Sequence, residues 1–203
     1  MSYKITASSD NCYEGTTCLI NKLDIRDEKV LVETETAITF AKASMLEVNP
    51  IDGSFDFAHF KEIHKFLFCD LYDWAGEIRT IDISKKGTQF THCEKIESLG
   101  THCLGKLSDG FLDDLDFDTF CARIAELYHD MNMIHPFREG NGRAQRAFFT
   151  QLIRHFGYDI NFSEEDPDFL MIATVYASQG IMDHLIQFFT DAIFEQEQGL
   201  AML

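Results

Sequence analysis

The stretch His135-Pro136-Phe137-Arg138-Glu139-Gly140-Asn141-Gly142-Arg143-Ala144-Gln145-Arg146 organises the reading of this chain. Upstream of it, Phe117, Phe120, Cys121, Ile124, Leu127, Met131 and Ile134 recur at helical spacing. Downstream, Ala147 to Phe149, Leu152, Ile153 and Phe156 do the same until Gly157, a residue suited to a C-cap. Between the two patterns stand a proline without a backbone donor and two glycines. The spacing predicts a helix, a loop, and a second helix that begins as the loop ends. Unpaired N–H groups and the helix dipole at such a start attract anions, and glycine lets a phosphate approach the backbone.

The charges point the same way. Of seven arginines, four (Arg138, Arg143, Arg146 and Arg154) fall in or just after this loop. Arg143 and Arg146 are three apart, so on a helix they share a face and can clamp phosphate oxygens. Glu139 is a hard oxygen donor placed where a phosphate-bound Mg²⁺ would sit, and Asn141 could orient the ion or a phosphate. His135 is the side chain of the loop able to take a proton near neutral pH. The plainer alternative is a Gly-Asn-Gly turn between two core helices, with a capping histidine and solvated arginines.

The string resembles the signature loop of Fic-domain proteins, HPFx(D/E)GNGRxxR, at every fixed position. The resemblance implies a mostly α, single-domain Fic fold: a helical bundle with a small β-hairpin flap, its core running from about 27 to 194. It further implies a protein adenylyltransferase that moves AMP from ATP to a Tyr, Thr or Ser hydroxyl of a target protein. His135 would be the base and Glu139 the Mg²⁺ ligand. Gly140, Asn141 and Gly142 would form the anion hole, and Arg138, Arg143 and Arg146 would complete the nucleotide site. The flap, Ile81-Asp82-Ile83-Ser84-Lys85-Lys86-Gly87, would hold the target segment by main-chain pairing. Relatives with degenerate loops can phosphorylate instead, so a Fic-type phosphotransferase is the alternative, beside a nucleotide-binding interaction module with little turnover.

Composition sets the outer bounds. The chain has 203 residues, 45% hydrophobic and 25% charged, which fits one globular unit. No apolar run reaches the length of a membrane span and no signal-peptide pattern opens the chain, so a cytoplasmic protein without membrane contact is expected. A net charge of −17 argues against nucleic acid as a partner and sharpens the arginine cluster into a local positive focus. Six cysteines without metal-ligand spacing read as free thiols.

Along the chain, residues 1–25 are polar and irregular. A helix is expected from Asp27 to about Glu47, with Val30, Ala37, Phe40, Ala41 and Met45 inward, and a second from about Asp56 to Leu71. His59 and His64 on the second helix read as surface or boundary residues, and Trp74 as a packing anchor. Residues 77–91 read as the hairpin, residues 93–107 as weakly helical, and Asp113 to Asp118 as acidic residues capping the next helix. Residues 158–162 read as a connector. A helix then starts at Asp166-Pro167 and a last one runs from Ile181 to about Phe194, with residues 195–203 fraying.

Many Fic proteins are restrained by a helix bearing (S/T)xxxE(G/N), whose glutamate pairs with the motif's second arginine. Here no Ser or Thr has a Glu four residues later; Glu47 has Ala43 at that spacing and Glu195 has Asp191. A separate small antitoxin-like inhibitor protein is therefore expected, with self-inhibition through Glu195 or Glu197 as the other option.

Overall fold

The computed structural model describes residues 4–5, 11–85, 88–162 and 167–196. Among these, seven helices occur: α1 (Glu28–Val48), α2 (Phe57–Phe68), α3 (Ile96–Gly105), α4 (Phe117–Ile134), α5 (Asn141–His155), α6 (Pro167–Ala177) and α7 (Asp183–Ala192). Five short strands accompany them: β1 (Lys4–Ile5), β2 (Ile83–Lys85), β3 (Thr88–Gln89), β4 (Tyr158–Ile160) and β5 (Ile193–Glu195).

The helices begin where short acidic side chains can cap them. Asp27 accepts from the N–H groups of Lys29 and Val30 at 2.9 and 3.1 Å, Asp56 from His59, and Asp116 from Thr119. The acidic run before α4 is thus a cap, as its position suggests. Glycine in the left-handed region closes two segments, Gly110 at φ 81° and Gly157 at φ 87°.

α4 and α5 form the centre. α2 packs on α5, α3 and α7 pack on α4, α6 covers α7, and α1 lies along α2. The core between them is strongly aromatic: Phe60, Phe68, Phe120, Phe137, Phe148, Phe149, Phe188 and Phe189 are all below 3% exposed. Burying each such ring is worth about 1.5–3 kcal/mol. Cys12, Cys18, Cys103 and Cys121 join this core, and all six cysteines are free thiols.

Several expectations need correction. α1 spans the predicted residues but faces the other way: Val30, Ala37, Phe40, Ala41 and Met45 are exposed, and Leu31, Glu35, Thr39 and Leu46 point inward. Its apolar residues were the wrong guide because two of its inward positions are polar and serve the site. His59 and His64 are buried. The connector at 158–160 is strand β4, and the last helix stops at Ala192 because the chain turns into β5, which pairs antiparallel with β4. The hairpin is shorter than predicted, and it is not alone. β1 pairs with β2 through Lys4↔Ser84 and Ile5↔Ile83, while β3 pairs on the other side, giving the order β1-β2-β3. Asp166, Lys86, Gly87 and residues 197–203 lie outside the described residues. No described helix is long and apolar enough to cross a membrane.

Candidate active site

α5 starts unlike α1, α2 and α4. Its N-cap is Gly140, at φ 80°, and no side chain caps it. A Cβ at Gly140 would lie 2.2 Å from the Phe68 ring, so both backbone and space require glycine there. The Gly140 N–H is taken by Glu139 Oε1 at 2.9 Å. The N–H groups of Asn141 and Gly142, first in the helix, find no acceptor among the described residues. Two donors therefore stand at the positive end of a 15-residue helix, an arrangement that favours an anion.

The loop before it is braced from inside. The Asn141 side chain accepts from the Phe137 N–H and donates to the Phe137 carbonyl, both at 2.8 Å. These two bonds fix the shape of the loop and leave one Nδ2–H donor of the amide over. Phe137 is buried against His64, with ring centroids 3.7 Å apart, and against Phe60. His64 accepts from the Gly76 N–H at Nδ1 (2.9 Å), so its proton sits on Nε2 and is donated to the Glu139 carbonyl at 3.0 Å. Burial pushes its pKa down to about 3, keeping it neutral.

His135 ends α4 in the left-handed region, at φ 46° and ψ 62°. For a non-glycine residue such a conformation costs on the order of 1–3 kcal/mol and persists only where surrounding contacts fix it. Nδ1 lies 3.0 Å from the Asn132 carbonyl, an acceptor, so Nδ1 carries the proton and Nε2 is the basic nitrogen. Phe90 stacks on the ring at 3.8 Å. Burial, aided by nearby Lys85 and Arg79, pushes the imidazole down to about 3 and leaves it neutral.

Glu139 stands beside a cavity of about 1100 Å³ that runs between α1 and α5 and is also lined by Lys85, Arg138, Arg143 and Arg146. Burial raises its carboxyl pKa, and Glu35 adds to the rise. Arg138 is 6% exposed; among the described residues its Nε has no partner and its guanidinium meets only Cys12 Sγ, at 3.7 Å. A buried cation so poorly compensated favours an anion in that cavity. Arg146 is exposed at the cavity wall.

Arg143 is engaged otherwise than foreseen. Its guanidinium pairs with Glu35, lies 3.1 Å from Thr39 Oγ1 and 4.9 Å over the Phe68 ring, and stands 3.8 Å from Glu139. Tyr72 donates to the same Glu35, and burial, with that carboxylate beside it, raises the phenol strongly. The chain thus supplies a carboxylate for a motif arginine after all, for the first arginine and from α1. Arg154, counted with the cluster, is spent on Glu47 and on Asp159 at 2.8 Å.

In the flap, Ile83 is buried, and Ile81, Asp82, Ser84 and Lys85 are partly exposed. Asp82 is tied to Cys93 N at 2.8 Å and His92 Nδ1 at 2.7 Å, contacts that hold its carboxyl below the usual range. These contacts tie the base of the ribbon to the start of the following segment. The residues that sequence reasoning passed over are Glu35, His64, Tyr72 and Arg79. Glu35 carried a signal, being in register with Leu31 and Thr39 at four-residue spacing; the others are single polar residues within apolar surroundings.

Residues 54–153 match the Fic/DOC family. Over 176 residues the chain is 36% identical to the protein adenylyltransferase VbhT of Bartonella schoenbuchensis, covering 85% of this chain but only 37% of that one. It is 32% identical over 184 residues to a probable protein adenylyltransferase Fic of Escherichia coli, covering 90% and 91% of the two chains. Among solved structures, the BepC protein of Bartonella tribocorum with bound AMPPNP superposes with a TM-score of 0.85 at 27% identity, over 92% of this chain and 97% of that one. A Fic domain from Bartonella quintana with bound ADP gives 0.86 at the same identity, over 92% and 95%.

Proposed function

This chain belongs to the Fic/DOC family, and we propose that it is a protein adenylyltransferase, transferring AMP from ATP to a Tyr, Thr or Ser hydroxyl of a target protein. The observation that carries the reading is the pairing of a neutral imidazole, its proton held on Nδ1 by Asn132, with the uncapped N-terminus of α5 directly after it in the chain. The first is a base ready at neutral pH; the second is an anion site.

His135 Nε2 takes the proton of the incoming hydroxyl, a step typically worth about 10²–10⁴-fold. The N–H groups of Asn141 and Gly142 face the phosphate oxygens on which charge develops. Arg146 reaches the terminal phosphates, and Arg138 adds a buried positive charge on the same cavity. Arg143 is paired with Glu35 and orders the cavity wall, with donors left over for a phosphate. Positioning supplies the remainder, since a transfer of this kind needs no covalent enzyme intermediate.

A divalent cation fits the donors present. No group of three or more His, Cys, Asp or Glu side chains is gathered among the described residues, and one carboxylate plus substrate phosphates is a common way to hold Mg²⁺. Glu139 would hold it, and the ion would neutralise phosphate charge.

The target, an exposed protein segment, would meet the ribbon at β2 and β3. Inhibition by a separate small protein is supported by the cavity itself, whose α1 wall exposes Val32 and Phe40 beside Phe194. A helix with one acidic and one apolar side would fit that wall and Arg146. The test of the whole reading is incubation of the chain with cell lysate and ATP labelled at the α or the γ phosphate, with a His135→Ala control. Label arriving from the α position alone, and only with His135 present, is the expected result. Transfer from γ alone would make the chain a phosphotransferase, and no His135-dependent label from either would leave a binding module.

A further inference from the structure

Arg79 has no place in the chemistry above, yet its side chain is fully buried, which is unusual for arginine. Its donors go mostly to the backbone of two different elements, and one terminal nitrogen also stands 3.8 Å from Asp82 Oδ1. Nε donates to the His135 carbonyl at 2.9 Å and one terminal nitrogen to the Ile134 carbonyl at 3.3 Å. The other terminal nitrogen donates to Ile81 at 2.7 Å, and the Thr91 carbonyl, at the far end of the ribbon, completes the set. The backbone N–H of Arg79 donates to the Pro136 carbonyl at 2.8 Å, and Thr91 N–H to Met133 at 3.0 Å.

The physical logic is that of a helix end. The last carbonyls of α4 have no partner within the helix, and the last turn of α4 contains no basic residue. Arg79 supplies from outside the charge and donors that such an end favours. Because the end is His135 itself, in a backbone conformation that must be imposed, the guanidinium is part of what imposes it. The same planar group reaches Ile81 and Thr91, which bracket β2 and β3. A guanidinium can do this with donors in several fixed directions; an ammonium cannot.

We propose that Arg79 is a positioning residue whose side chain, together with the backbone bonds from Arg79 to Pro136 and from Thr91 to Met133, makes the base His135 and the target-facing ribbon one mechanical unit, so that the acceptor segment and the nitrogen that deprotonates it are set together. The inference rests on the reading of His135 and the ribbon given above, although its geometry does not.

The test compares Arg79→Lys with the unchanged chain by NMR of ¹⁵N-labelled histidine and by amide exchange, with AMP transfer from α-labelled ATP to lysate proteins measured alongside. The variant keeps the charge and loses the fork. Expected are a His135 ring no longer held as the Nδ1–H tautomer, amide exchange at Ile83 to Lys85 and at Thr88 and Gln89 faster by at least about tenfold, and transfer lowered by roughly 10²-fold with Mg-ATP affinity changed by less than about threefold. A variant with the His135 tautomer and ribbon exchange both unchanged, or with only one of them altered, overturns the proposal. If Arg79→Lys does not fold, exchange in the unchanged chain decides: the amides of Arg79, Thr91 and His135 should open together, and independent opening overturns it. Should neither protein transfer AMP, the functional reading fails while the tautomer and exchange results still judge Arg79.

Discussion

Two imidazoles buried in the neutral form make the fold sensitive to mild acid. His64 and His135 both have pKa values pushed down to about 3, whereas in an unfolded chain each returns to about 6.5. Because the folded value is the lower one, their contribution to stability is complete above the unfolded pKa and is lost as pH falls below it. Between about pH 7.5 and pH 5.5 each unfolded histidine takes up nearly one proton that the folded one refuses, a loss of about 1.4 kcal/mol per residue and about 3 kcal/mol for the pair. That is a large share of an ordinary domain stability of about 5–15 kcal/mol, and corresponds to a Tm drop on the order of 6–12 °C for a chain of this size. Burial lowers His129 too, which adds in the same sense. Glu139, raised by burial, works in the opposite sense, from its unfolded value upward, and so offsets part of this slope. Urea unfolding at matched ionic strength at the two pH values measures the slope. His64→Gln should reduce the pH-dependent loss by about half. A chain equally stable at both pH values, or a slope untouched by His64→Gln, would refute the assignment of neutral buried histidines.

Other consequences of the geometry can be checked on the same instrument or with nucleotide. Gly140→Ala combines a left-handed backbone with contact on Phe68 and should cost about 2–4 kcal/mol in urea unfolding. Asn141→Ala leaves the buried N–H and carbonyl of Phe137 unsatisfied and should cost about 2–5 kcal/mol, with weaker ATP binding by calorimetry in whatever protein still folds. Glu35→Gln and Tyr72→Phe act on one network, so a double-mutant cycle should give a coupling above about 0.5 kcal/mol; additive effects would mean that the two contacts are independent.

Much of the site was legible in the sequence because its chemistry is local. His135 to Arg146 occupy one loop and one helix start, so residue type, glycine placement and helical phase define most of the geometry. The Asp27, Asp56 and Asp116 caps were readable for the same reason. What escaped was long-range. Glu35 reaches Arg143 from more than a hundred residues away, and α1 was turned to the wrong face because its inward stripe is partly polar. His64 looked like a surface histidine; only the packed structure shows the Glu139 carbonyl and Gly76 N–H that satisfy it. The helical reading of 181–194 overran into β5 because apolar residues at Ile193 and Phe194 suit either period, and pairing with β4 decided between them.

β2 lies between β3 and β1, so both of its hydrogen-bonding edges are already in use. A strand approaching β2 in the plane of the sheet therefore exchanges with β1 rather than adding to a bare edge. β1 offers the same backbone chemistry as any newcomer and is covalently attached, so its pairing is intramolecular and independent of protein concentration. Its two-residue pairing is nonetheless short, with each bond worth about 1 kcal/mol net. Selectivity at this edge then depends on what a newcomer's side chains contribute beyond the backbone pairing that β1 already provides.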